Sequence, residues 1–125
     1  DLMATALREC REEVGMDTDS LRLLGQLDDT TTYAAPISIT PFVGVIPYPQ
    51  SFTLNPGEVD RLLEVPLDFF MEQSRLNIRW ISRRGGVVPV YYYHYGKEVI
   101  WGATARILRN FLELIFDLPA PRLGR

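Results

Sequence analysis

Residues 2 to 14 constrain the chain more tightly than any other stretch. Leu2, Met3, Ala6, Leu7, Cys10 and Val14 fall on one stripe at roughly 100° per residue, and Gly15 follows where a helix C-terminal glycine belongs. The spacing predicts an amphipathic helix. A flank of it gathers Glu9, Glu12 and Glu13 within roughly 100°, with Arg8 and Arg11 on the far side of that flank. Carboxylates at i, i+3 and i+4 repel by about a few tenths of a kcal/mol per pair on a solvated helix. A divalent cation reverses that sign, and hard oxygen donors so spaced suit Mg²⁺ or Mn²⁺. Most acidic helix faces are simply solvated, so the order of the residues has to decide.

The chain opens at Asp1, without an initiator Met or a capping lead-in, as a piece of a longer protein would. Beyond the helix, Leu21 to Leu27 and Ile37 to Ile46 read as strands separated by the polar stretch Asp28 to Tyr33. The run Phe42 to Ile46 is apolar on both faces, as in a covered central strand. Asn55-Pro56-Gly57 marks a loop, Glu58 to Val65 a short strand stopped by Pro66, and Leu67 to Gln73 a short helix. Residues 78 to 102 read as two or three strands turning at Arg83 to Gly86 and Tyr95 to Lys97. A last helix follows Gly102, with Ile107, Leu108, Phe111, Leu112, Leu114 and Ile115 at helical spacing, and Pro119 to Arg125 reads as a loose tail.

This order predicts one domain of the α/β (α+β) class, with helices packed on a sheet. At 125 residues, one core is the natural expectation. A net charge of −3 excludes a general basic field for nucleic acid or an anionic membrane, so a polyanion would need a local device. A lone cysteine, Cys10, fits a reducing, cytoplasmic setting. No apolar run approaches the roughly 20 residues of a membrane span.

Arg8-Glu9-Cys10-Arg11-Glu12-Glu13-Val14-Gly15-Met16 matches, position for position, the second half of the Nudix box, Arg-Glu-apolar-any-Glu-Glu-any-Gly-apolar. Five fixed identities make a chance match in this length about one in ten thousand or rarer. The chain thus resembles the Nudix hydrolases. The resemblance implies an α/β/α sandwich with a central mixed sheet, here lacking its N-terminal strands together with the box's first Gly and Glu. It implies metal ligation by Glu9, Glu12 and Glu13, with Mg²⁺ or Mn²⁺ as the cofactor, and an Arg8 that orients a box glutamate.

Phe42-Val43-Gly44-Val45-Ile46, Asn55-Pro56-Gly57-Glu58-Val59, Glu64-Val65-Pro66-Leu67 and Ile100-Trp101-Gly102-Ala103-Thr104-Ala105 are similar to the coenzyme A diphosphatase subgroup. That likeness implies a small nucleotide substrate, coenzyme A, cleaved to 3′,5′-ADP and 4′-phosphopantetheine, with neither nucleic acid nor membrane as partner. Glu58 falls where many Nudix enzymes carry a further acidic residue, as a ligand or the general base; an exposed strand-edge carboxylate is the plainer alternative. Another nucleoside-diphosphate-X diphosphatase, for ADP-ribose or a dinucleotide, and a catalytically silent Nudix-like module are the competing functions. The catalytic set expected from the resemblance is Arg8, Glu9, Glu13 and Glu58. His94 reads as a surface strand-end histidine, Tyr91 to Tyr95 as packing residues, Arg83 and Arg84 as a hairpin turn, and Cys10 as a core residue.

Overall fold

The computed structural model describes residues 1–32 and 36–123. In chain order the elements are α1 (Leu2–Val14), β1 (Arg22–Gln26), β2 (Thr30–Thr31), β3 (Ser38–Ile39), β4 (Phe42–Val45), α2 (Leu67–Met71), β5 (Asn77–Arg83), β6 (Gly86–Tyr95), β7 (Glu98–Trp101) and α3 (Gly102–Phe116). Short 3₁₀ turns occupy Thr18–Ser20 and Gln73–Arg75. The mixture of helix and sheet is the class the sequence predicts. A central mixed sheet is not what the strands form. Among the described residues every pairing is antiparallel, in three separate sheets, β1 with β4, β2 with β3, and β5-β6-β7. A parallel pair needs a crossover of a dozen or more residues, whereas two-residue turns join β5 to β6 and β6 to β7.

The chain divides into two compact units, Asp1–Asp28 with Thr40–Glu64, and Asp29–Ile39 with Val65–Arg125. In the first unit α1 begins at Asp1, whose carboxylate accepts the Ala4 N–H at 2.7 Å, so the helix does have its cap. Gly15 ends it at φ 65°, its N–H donating to the Arg11 carbonyl at 3.1 Å. The expected stripe is only partly covered: Ala6, Leu7, Cys10 and Val14 are half-buried, Leu2 is 64% exposed, and no residue of α1 is fully buried. Leu2 and Met3 instead line an open apolar hollow with Leu23 and Phe42. β4 pairs with β1 alone, in a two-stranded sheet whose register slips between Leu23 and Gly25. It is therefore not the covered central strand that its apolar run suggests, and Gly44 and Val45 are exposed.

Glu58 to Val65 forms no strand. Val59, Leu62, Leu63 and Val65 supply apolar side chains, but among the described residues this segment joins none of the three sheets, and a strand without a partner leaves its peptide groups unpaired. Conversely, Thr30–Thr31 inside the polar stretch does pair, with Ser38–Ile39. The end of that stretch at Tyr33 lies outside the described residues, as do Gly124 and Arg125 of the tail.

The second unit holds the principal core. Phe70, Tyr93, Ala105 and Leu112 are buried, with Phe69, Leu76, Tyr91, Ile100 and Leu108 packed against them. Along β6 the alternation of a strand sends Tyr91, Tyr93 and Tyr95 to the side of the aromatic core, where Phe69 meets Tyr95 edge-on at 4.9 Å. On α3 the buried positions are Ala105, Arg109 and Leu112, while Leu114 and Ile115 are 59% and 58% exposed. The apolar pattern of that helix thus overstates its buried face toward the C-terminus.

Candidate active site

The acidic flank of α1 is built as the helical spacing requires. Glu9 and Glu12 are exposed and Glu13 is half-buried. Arg8 Nη1 stands 3.9 Å from Glu12 Oε1, an i,i+4 pair in which both side chains are more than half exposed. Such a pair is worth little as stability. Among the described residues Glu9 and Glu13 make no ion pair. The last turn of a helix carries the negative end of its dipole, so Glu12 and Glu13 sit where carboxylates are disfavoured, with Arg11 the one basic residue of that turn. As a structural choice the arrangement is poor. Carboxylate oxygens are nevertheless the hard donors that a divalent cation takes. Among the described residues, however, no group of three or more His, Cys, Asp or Glu side chains is placed so as to hold a metal ion. The donor chemistry fits a divalent cation, and closure on one requires the exposed carboxylates to turn.

Glu58 reaches this helix through backbone. The N–H of Thr53 donates to the Val14 carbonyl at 2.9 Å, and that of Asn55 to the Glu13 carbonyl at 2.8 Å. These bonds satisfy two of the carbonyls left open at the helix end. Asn55 then organises the turn that follows: its carbonyl accepts from Glu58 N–H at 3.0 Å and Val59 N–H at 2.8 Å, and its Oδ1 accepts from Gly57 N–H at 3.1 Å. Glu58 is therefore an exposed turn residue hung from the last turn of α1, and not a strand-edge carboxylate. The docking depends on Gly15. A Cβ there would lie 2.8 Å from the Thr53 carbonyl oxygen, at a φ that L side chains rarely adopt. Gly15→Ala is expected to cost about 2 kcal/mol of stability, from left-handed strain together with displacement of the loop, readable as a shift in the urea midpoint.

The remaining candidates separate cleanly. Cys10 is half-buried, and burial, followed by the charges of Glu13 and Glu9, pushes its thiol pKa up against the pull of Arg11. A thiol so held is a poor nucleophile. His94 is exposed at the end of β6, edge-on to Tyr92 at 5.4 Å. Arg83 and Arg84 stand at the exposed β5–β6 turn. Two residues missed by the sequence reading stand out: Asn55, whose signal was the Asn-Pro-Gly triplet itself, and the buried Arg109. Arg109 was legible as the i+4 partner of Ala105 on a face that continues to Leu112.

The chain is 37% identical over 114 residues to the Uncharacterized Nudix hydrolase NudL of Photorhabdus laumondii, a match covering 91% of this chain and 60% of that protein. The Uncharacterized Nudix hydrolase NudL of Yersinia pestis is 35% identical over 114 residues, covering 91% of this chain and 57% of the relative. The chain thus spans rather less than two thirds of the length of these curated relatives. No protein-family model matches it. Among the described residues no helix is long and apolar enough to cross a membrane.

Proposed function

Kinship with the Nudix hydrolases, supported by similarity over nine-tenths of the chain, is the premise from which we propose a metal-dependent diphosphatase acting on coenzyme A or its derivatives. The observation that carries the reading is the helix from Arg8 to Gly15, which sets three carboxylates on one flank and hangs the Glu58 turn from its final carbonyls. In this reading both compact units belong to one catalytic domain. Glu9, Glu12 and Glu13 would hold a divalent cation, Mg²⁺ or Mn²⁺, which when bound would supply charge neutralisation for the diphosphate and Lewis acidity at phosphorus.

The chain's own residues do the rest. Arg8, 3.9 Å from Glu12, orients that carboxylate by closing to a hydrogen bond when the site is loaded. Glu58 accepts the proton of the attacking water as its oxygen adds to phosphorus, and the P–O bond to the bridging oxygen breaks. The products are 3′,5′-ADP and 4′-phosphopantetheine. The choice of coenzyme A rests on the resemblance of Phe42 to Ile46, Asn55 to Val59 and Ile100 to Ala105 to that subgroup. The full-length protein, given coenzyme A and ADP-ribose in turn with Mg²⁺ or Mn²⁺, is expected to hydrolyse coenzyme A faster. Preference for ADP-ribose would overturn the substrate, and hydrolysis of neither would overturn the enzyme class for these substrates.

A further inference from the structure

Arg109 is 1% exposed, yet it lines a cavity of about 490 Å³ that lies wholly within the second unit, with Gln73, Leu76, Ile78, Pro119 and Arg122 among the other walls. A guanidinium carries five donors in a fixed plane. Nη2 donates to the Pro119 carbonyl, whereas Nε and Nη1 are buried with no hydrogen-bond partner. Among the described residues no carboxylate pairs with it. The Tyr93 hydroxyl is buried against the same guanidinium, and no other group hydrogen-bonds it among the described residues. A buried cation without a carboxylate in direct contact is costly, more so than a neutral side chain of the same length in the same place. Anchoring one carbonyl of the tail does not require a permanent charge. Arg122, exposed on the same cavity, adds a second positive group facing no acid among the described lining.

We propose that this cavity is a binding site for a small organic oxyanion, a carboxylate or phosphate monoester bearing a short apolar tail, with Arg109 and Arg122 taking the charge and Leu76, Ile78 and Pro119 the tail. The volume falls in the range of small-molecule pockets. Guanidinium donors match the planar or tetrahedral arrangement of oxyanion oxygens better than an ammonium would. The site is independent of the diphosphatase reading.

Isothermal titration of the full-length protein with octanoate, octyl phosphate and octanol tests it. Both anions are expected to bind, the tighter one identifying the head group, and octanol at least about tenfold more weakly. Arg122→Gln, at an exposed position, is expected to weaken anion binding about fivefold or more with an unchanged melting temperature. Arg109→Lys keeps the charge but loses the planar donors, and should weaken it further. Octanol binding as tightly as octanoate would overturn the proposal, as would wild-type affinity in both variants or no anion binding at millimolar concentration.

Discussion

Phe70→Ala is expected to lower the stability of the fold by about 3–5 kcal/mol. Phe70 is 3% exposed and meets two rings edge-on, Phe69 at 5.3 Å and Tyr93 at 5.0 Å. Truncation removes the transfer free energy of a whole ring and leaves a cavity walled by residues that are themselves held. Tyr93 belongs to the middle strand of the sheet, and Phe69 is pinned by Tyr95 and by the Arg75 guanidinium 4.9 Å above its ring. Such a site collapses poorly, which favours the upper part of the range. Urea denaturation followed by circular dichroism measures the loss. Phe70→Leu, about 1–1.5 kcal/mol on the same scale, keeps the comparison readable if the alanine variant does not fold. A loss below about 1 kcal/mol for Phe70→Ala would mean that this aromatic cluster is not the principal core.

Glu13→Gln is expected to reduce diphosphatase turnover at least about a hundredfold, the equivalent of roughly 3 kcal/mol of transition-state stabilisation. Stability should move the other way. Removing a negative charge from the last turn of α1 relieves its conflict with the helix dipole and with Glu9 and Glu12, a gain of about 0.3–1 kcal/mol at low salt. Activity falling while the melting temperature holds or rises is the signature of a carboxylate kept for its ligand and not for the fold. A calorimetric Mg²⁺ or Mn²⁺ titration should show weakened cation binding in parallel. Unchanged turnover would remove Glu13 from the site, and a lowered melting temperature would assign it to the fold instead.

Legibility in the sequence followed how local each determinant is. α1 could be read to the residue because its stripe, its acidic flank and Gly15 all lie within one window. The β5-β6-β7 meander could be read because its turns carry glycines between clear strands. Failures occurred where a partner decides. Glu58 to Val65 has strand composition but joins no sheet among the described residues, and Thr30–Thr31, with only two residues, pairs by virtue of neighbours seven and nine positions away. The site divides the same way. Three carboxylates on one helix flank follow from spacing, whereas Asn55 as the link between Glu13 and Glu58 depends on a contact across some forty residues of chain. Arg109 was hidden by chemistry: amid an apolar helix an arginine reads as the solvent side, and only the face it shares with Ala105 and Leu112 says otherwise.

The Glu58 turn is attached to α1 by the peptide groups of Thr53 and Asn55, and peptide groups are common to nearly every residue type. The exposed side chain at 53 can accordingly change without removing the bond that holds the turn, while proline at 53 or 55 would delete a donor and unhook it. What a lineage must preserve here is the count of residues between the helix end and the acid. A gap in this loop is therefore a graver change than several substitutions within it.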